Sequence, residues 1–344
     1  MWYEEREADR SPIVSSRIRL ARNLRAYSFS RKISVQDAQE MIERVKIATE
    51  TGSERIGQLS FTDVFKLPDV VKLSMLERHI LSPQMLQCQG SCGLLTSEDN
   101  SLALLLNEED HIRIQAFTTG GNIDAAFAVA DSVDDILEDT LDYAYSDSLG
   151  YLTSCPSNTG TGLRASYMVH LPMLERANQL RKIVPVLTQF GMTIRGVFGE
   201  GSESFGSFYQ ISNQKTLGES EQEILGSLKK ITRGIIDREE YILKKSIEND
   251  RYELLDSVHR AYGILTNCRR ITAKEAMMLL SSVRLGYTSG LLKAAEPGTS
   301  LLAIMMNIRD ANIALYAEPL AGEVNSAEPR DVARAQYLRS IFSG

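Results

Sequence analysis

The sequence holds no uninterrupted apolar run near the roughly 20 residues that a membrane-spanning helix needs. Its first residues, Met1-Trp2-Tyr3-Glu4-Glu5-Arg6-Glu7, also lack the basic and then apolar segments of a secretory leader. These absences point to a cytoplasmic protein. Basic residues are not in excess: Lys and Arg number 38 against 45 Asp and Glu, a formal net charge of −7. Nucleic-acid and membrane-surface binders usually show the opposite balance, so neither partner is expected. Four cysteines in 344 residues do not make a disulfide framework. Cys88 and Cys92 have no second ligand pair to complete a zinc site, and no protein metal site is expected. A Walker A stretch is missing, which excludes a P-loop cradle for phosphates. Gly199, Gly201 and Gly206 superficially suggest a dinucleotide loop, but a strand rather than a helix follows them.

What is present is an ordinary globular composition, 43% hydrophobic and 24% charged, long enough for one large domain or two. Residues 12–20 read as a strand in which Arg17 and Arg19, two apart, share a face and cannot both be core. Ser34 caps a helix running to about residue 48, residues 59–66 are extended, and 70–80 are helical up to a stop at Ser82-Pro83. Residues 102–106 and 112–117 read as strands joined by a charged bend, followed by a long amphipathic helix over 122–146. The stretch 150–172 reads as strand, tight loop, strand, presenting Cys155 and Arg164 at one edge of a sheet. A helix over 176–190 is broken at Pro185, and strands at 194–197 and 208–212 bracket a mobile Gly/Ser-rich loop. Helical patterns then run from 219 to 245, 251 to 265, 272 to 285 and, opened by Pro329, to 342. The change from mixed elements to helices alone sets an expected boundary, with domains at 1–243 and 244–344.

Four stretches combine arginines with strand-like pattern: Ser15-Ser16-Arg17-Ile18-Arg19, Asn107-Glu108-Glu109-Asp110-His111-Ile112-Arg113, the run through Arg164, and Arg195-Gly196-Val197-Phe198-Gly199-Glu200. If Arg17, Arg19, Arg113, Arg164 and Arg195 converge, their repulsion calls for a polyanion among them, and a triphosphate with Mg²⁺ is the natural one. Taken singly, each arginine is more readily explained by a surface ion pair. Glu109 and Glu200 border the same site, where two carboxylates can grip a planar guanidinium, aim one nitrogen for in-line attack and take its proton. Cys155, taken alone, reads as a small buried hydrophobe. Facing a cation, its thiolate becomes an electrostatic partner rather than a covalent nucleophile.

Those motifs, with Cys155-Pro156-Ser157-Asn158 and Arg164-Ala165-Ser166, resemble the phosphagen (ATP:guanido) kinases in the same order along about the first two-thirds of the chain. The resemblance implies an α+β fold: a guanidino-kinase, glutamine-synthetase-like catalytic domain with an antiparallel sheet flanked by helices, plus an all-helical C-terminal domain. It implies that the five arginines bind ATP phosphates, that Glu109 and Glu200 hold the guanidinium, and that Cys155 is the family's reactive cysteine. Leu76-Glu77-Arg78-His79 is similar to the segment whose histidine lies at the adenine. Ser15, Ser16 and Ile18, Ala165, Ser166, Tyr167 and Met168, and Gly196, Val197, Phe198 and Gly199 would line the nucleotide. Phe198 and Met168 stand where arginine and histidine are common in the small-substrate enzymes.

Small-substrate members place a helical domain and a closing loop before the Ser-Ser-Arg motif, which here begins at Ser15. The guanidinium site is therefore expected to be open to arginine on a protein. The helical stretch past residue 243 looks like that of the bacterial protein arginine kinases, and Arg330-Asp331-Val332-Ala333-Arg334-Ala335 matches their motif for allosteric phosphoarginine. The resemblance further implies ATP and Mg²⁺, a homodimer, a zinc-finger activator, a stress-response repressor among the substrates, and marking of proteins for a Clp protease. A kinase of a free guanidino compound and a non-catalytic phosphoarginine-reading adaptor remain as alternatives. Retention of both glutamates, Cys155 and all five arginines speaks against the adaptor.

Overall fold

The computed structural model describes residues 1–6, 10–30, 32–88, 90–198, 204–294, 296–321 and 327–342. Strand β1 (Ile13–Arg22) is followed by helices α1 (Val35–Thr51) and α2 (Ser53–Ile56), strand β2 (Ser60–Asp63), and helices α3 (Asp69–Glu77) and α4 (Pro83–Leu86). Next come β3 (Gly93–Thr96), β4 (Leu102–Leu106), β5 (Ile112–Thr119), α5 (Ile123–Glu138), β6 (Tyr145–Ser146), β7 (Gly150–Tyr151) and β8 (Leu163–His170). Helices α6 (Pro172–Arg176) and α7 (Leu180–Gln189) precede β9 (Met192–Phe198) and β10 (Ser204–Asn213). The rest is helical: α8 (Glu221–Asn267, interrupted at Asp250), α9 (Ala273–Thr288), α10 (Leu301–Asn307), α11 (Asp310–Ala321) and α12 (Ala327–Phe342). No described helix is long and apolar enough to cross a membrane.

One sheet has the strand order β2-β3-β4-β5-β1-β8-β10-β9, and β6 and β7 form a separate two-stranded pair. The meander β2 to β5 is antiparallel, with Leu105 opposite Arg113 and Ala103 opposite Gln115. The chain divides into two compact units, and β1, β8 and β10 contribute to both.

The first unit comprises Met1–Trp2, Ser16–Ser166 and Ser212–Leu228. Its core forms because strand residues alternate: Ile18 and Leu20 on β1 and Ile112, Ile114 and Ala116 on β5 are buried, while the intervening positions carry polar groups. Helix α5 packs against β5, and α1 packs against α5. The Ser34 side chain accepts a hydrogen bond from Asp37 N, as its cap position requires. Arg22 is fully buried, with Asp134 taking its Nε and Nη2, and its Nη1 reaching Thr161 O at 2.9 Å. Gly162 has φ +67, and a Cβ there would lie 2.6 Å from Ala21 O, so this crossing requires glycine.

The second unit comprises Tyr3–Ser15, Tyr167–Ile211 and Lys229–Gly344. Here the buried carboxylate of Glu239 accepts from Met173 N and Leu174 N, each at 2.7 Å, and so caps α6. Arg334 is wholly buried in the helical layer and donates to Ile308 O at 2.6 Å, to Ile271 O at 2.9 Å and to the carboxylates of Asp331 and Asp310.

Several local expectations are corrected. Helix α5 ends at Glu138 instead of continuing to 146, because the following backbone is drawn into other pairings: Arg25 N to Asp142 O at 2.9 Å and Ala144 N to Asn23 O at 2.7 Å. Pro83 does not stop a helix but opens α4, with the Ser82 side chain accepting from Met85 N. Helix α7 runs through Pro185; its residues are mostly exposed, so water can satisfy the carbonyl that the proline leaves without a donor. Strand β7 pairs with β6 and not with β8, and β8 lies inside the sheet; Cys155 and Arg164 are not on a hairpin at a sheet edge. Strand β3 was not foreseen. Cys88 and Cys92, read as free of any disulfide framework, are joined to each other. The loop read as mobile falls largely on 199–203, outside the described residues.

Candidate active site

Strand alternation assembles the site. Arg17 and Arg19 lie two apart on β1, and Arg113, Gln115 and Phe117 lie at successive alternate positions on the neighbouring strand β5. Arg164 stands near the start of β8, on the other side of β1, where its Nη2 reaches Ser212 Oγ at 3.3 Å. These four guanidinium groups sense one another. Burial, then the charges of Arg113 and Arg164, lower Arg17 from its ordinary value to about 9, with Glu108 opposing. Arg19 is likewise lowered well below its ordinary value, by burial and then by Arg17, Arg164 and Arg113. The Nε atoms of Arg17 and Arg19 are buried and make no hydrogen bond. Such a cluster is a ready receptor for a polyanion, since each added negative charge relieves several repulsions at once.

The carboxylates come from the bend between β4 and β5. Asn107 adopts the left-handed conformation, φ 58, and starts the turn that lifts Glu108 and Glu109 beside Arg113. Arg113 Nη1 lies 2.7 Å from Glu108 Oε2, and its Nη2 donates to Glu109 Oε2 at 3.2 Å. Glu108 is the inner partner, with its side chain 0% exposed and accepting from Ser82 Oγ. Glu109 retains 20% exposure and is the carboxylate that a guanidinium could reach. Sequence reasoning passed over Glu108; the signal was its place next to Glu109 in the same acidic bend.

The remainder of that motif is scaffolding. Asp110 Oδ1 accepts from Asn23 Nδ2 and from Ser154 N, both at 2.7 Å, and thereby ties the residue before Cys155 to the bend that carries Glu109. His111 Nδ1 accepts from Leu24 N, so the proton sits on Nε2 and is donated to Ser28 O; burial lowers its pKa and keeps the ring neutral. Cys155 is partly exposed, with Sγ 3.0 Å from Ser157 Oγ and its carbonyl accepting from Thr153 Oγ1.

The other expected residues fall as follows. His79 ends the segment after α3 in the left-handed region, φ 61. Ser16 donates to Gly120 O, Ser166 Oγ to Arg17 O at 3.4 Å, and Ala165 N to Asn213 Oδ1 at 2.8 Å. Ser15, Ile18, Tyr167 and Met168 are buried. Arg195, Gly196 and Val197 belong to β9 in the second unit, where Arg195 is exposed. Four of the five arginines are thus brought together in the first unit. Phe198 ends β9, and Gly199 and Glu200 lie outside the described residues. Of the phosphoarginine motif, Arg334 and Ala335 are fully buried, Asp331 is 9% exposed, and Arg330 is partly buried. Among the described residues no group of three His, Cys, Asp or Glu could hold a metal ion.

Residues 40–242 match the family model described as ATP:guanido phosphotransferase, C-terminal catalytic domain, and residues 251–344 match the Protein-arginine kinase McsB C-terminal domain. The chain is 38% identical over 339 residues to the protein-arginine kinase of Halalkalibacterium halodurans, covering 98% of this chain and 94% of that one. It is 40% identical over 341 residues to that of Syntrophomonas wolfei, with 98% and 94% covered. Among solved structures it superposes on the duplicated taurocyamine kinase of Schistosoma mansoni with a TM-score of 0.62 at 22% identity, over 74% of this chain and 38% of that one. Lombricine kinase gives 0.59 at 25% identity, over 69% and 67%. These structures share the fold.

Proposed function

Since the chain belongs to the ATP:guanido phosphotransferase family and, within it, to the protein-arginine kinases, we propose that it transfers the γ-phosphoryl group of ATP to arginine side chains of proteins. The observation that carries this reading is the cluster of Arg17, Arg19, Arg113 and Arg164 beside Glu109 on one strand framework. The arginines receive the triphosphate, and their fixed positive charge faces the negative charge that builds on the transferring group. Glu109 holds the substrate guanidinium by paired hydrogen bonds, aims one nitrogen along the line of transfer and accepts its proton as the N–P bond forms, while the bond from the γ-phosphorus to the bridging oxygen breaks and ADP leaves. Glu108 neutralises part of Arg113, which leaves Arg17 and Arg19 as the strongest attractors for phosphate. Mg²⁺ carried on the phosphates supplies further charge neutralisation.

Arg195, Gly196, Val197, Phe198, Gly199 and Glu200 complete the site on this reading, with Glu200 as the second carboxylate on the guanidinium and His79 at the adenine. Cys155 faces the guanidinium as an electrostatic partner. Residues 244–344 act as a dimerisation and phosphoarginine-sensing domain through Arg330, Asp331, Arg334 and Ala335. Kinship supports these assignments, together with a cytoplasmic location, a zinc-finger activator, a stress-response repressor among the substrates and delivery of marked proteins to a Clp protease.

Intact-protein mass spectrometry of an arginine-rich acceptor, incubated with the chain and Mg²⁺-ATP beside free arginine, tests the reading. An acid-labile phosphoryl adduct on the protein is expected, and Glu109→Gln should lower its rate by about 10²–10⁴-fold. Turnover of free arginine with no protein adduct would move the assignment to a small-substrate kinase.

A further inference from the structure

Gln115 stands among the arginines as an uncharged side chain with 0% exposure, two residues after Arg113 and two before Phe117. Both ends of its amide are used. Oε1 accepts from Arg17 Nη2 at 2.6 Å, and Nε2 donates to Ile80 O at 2.7 Å and to His79 O at 3.3 Å. A guanidinium only donates and a backbone carbonyl only accepts, so these partners fix which end of the amide is oxygen. The Phe117 ring completes the seat, with its centroid 5.0 Å from Arg17 Cζ. A carboxylate at 115 could serve Arg17 but would set an oxygen against two carbonyls, and an aliphatic side chain could serve neither. Buried polar groups are expensive unless paired, so an amide here has been placed to satisfy both sides.

We infer that Gln115 is a positioning residue for phosphoryl transfer: it locks Arg17 to the turn at His79 and Ile80, so that the phosphate contact and the base-side segment keep one fixed spacing. The inference rests on the reading of Arg17 as a phosphate ligand and of the His79 segment as lying at the nucleotide base. Gln115 acts on the reaction only through these two partners.

The test is steady-state kinetics of protein-arginine phosphorylation by the full chain for Gln115→Met, Gln115→Glu, Arg17→Ala and the Gln115→Met/Arg17→Ala pair, with inorganic triphosphate as a competing inhibitor and a thermal melt of each protein. Gln115→Met should raise KM for ATP about tenfold, the scale of one lost hydrogen bond to a charged group, and change kcat far less. In the Arg17→Ala background the same substitution should add less to KM than it does in the wild type, because one of its two partners is already gone. Gln115→Glu should keep triphosphate inhibition near the wild-type level while KM for ATP rises, since only the link to the turn is lost. This variant also decides the matter if Gln115→Met does not fold. An unchanged KM for ATP in both Gln115 variants, or a Gln115→Met effect that adds in full to that of Arg17→Ala, overturns the inference. If Arg17→Ala itself leaves KM for ATP unchanged, the phosphate-site reading fails first and the inference falls with it.

Discussion

Replacing Arg17 with methionine should stabilise the nucleotide-free chain and at the same time weaken its response to polyphosphate. Arg17 sits with its pKa lowered to about 9, chiefly by burial and then by Arg113 and Arg164. Against the ordinary arginine value, that corresponds to roughly 5 kcal/mol disfavouring the charged form in the fold. The sign follows from the direction. A base with a depressed folded-state pKa contributes favourably only above its unfolded value, and that contribution is lost as pH falls through about 9, so near neutrality the full penalty is in force. Methionine removes the penalty but leaves Gln115 Oε1 without its donor, at about 1–3 kcal/mol, and gives up the contact with Phe117, at about 0.5–1 kcal/mol. The net expectation is a gain of about 1–3 kcal/mol. In a melt at low ionic strength this should read as a few degrees, taking roughly 2 °C per kcal/mol for a long chain. Inorganic triphosphate at a hundred times its wild-type Kd should add about 2.7 kcal/mol to the wild type and about half of that or less to the variant at the same concentration. A variant that melts below the wild type without nucleotide, and is raised by triphosphate as much as the wild type, would refute the electrostatic argument for the site.

Three further outcomes are expected. Burial raises Glu239 to about 7, so its contribution to stability is fully present below the ordinary glutamate value and lost as pH rises through about 7; in urea unfolding from pH 5 to 8, Glu239→Gln should flatten the slope that the wild type shows, and an unchanged slope would sink the assignment. Asp110→Ala strands Ser154 N and one donor of Asn23, which should cost about 2–4 kcal/mol and speed alkylation of Cys155 as its loop loosens; an alkylation rate equal to wild type would count against the tether. Gly206 has φ +74, and a Cβ there would meet Met277 O at 2.7 Å, so Gly206→Ala should lower the unfolding free energy by about 1–3 kcal/mol, and chemical denaturation that shows no loss would contradict the close approach of β10 to α9.

Much of the frame was legible because it follows from short-range rules. Strands with one residue in two buried and the Ser34 cap are read from neighbours within four positions. Where reading failed, a distant partner had decided. The apolar spacing around 139–146 suits a helix, but Asn23 and Arg25, more than a hundred positions earlier, take that backbone into bridges. Strand β7 is likewise captured by β6, and the loop that carries Cys155 is closed by a bridge from Tyr151 to Gly160 instead of by pairing with β8. Pro83 and Pro185 mislead for a related reason, since the effect of a proline depends on whether its lost donor was needed at that place.

The site shows the same division more sharply. Arg17 with Arg19 announces a shared face by spacing alone, and Arg113 followed by Gln115 in Ile112-Arg113-Ile114-Gln115-Ala116-Phe117 announces it again, because a polar residue at every second place in an apolar strand has a face of its own. The amide was therefore findable, yet a charge draws attention where an amide does not. What spacing could not reveal is the rank of the groups. Glu108 and Glu109 are adjacent and chemically identical, but the turn at Asn107 sends one side chain to full burial against Arg113 and Ser82 and leaves the other 20% exposed. That difference ties one carboxylate wholly to an arginine of the protein and leaves the other open to a guanidinium from outside. It arises from where β4 and β5 place the bend, so two like residues acquire unlike roles through the packing that surrounds them.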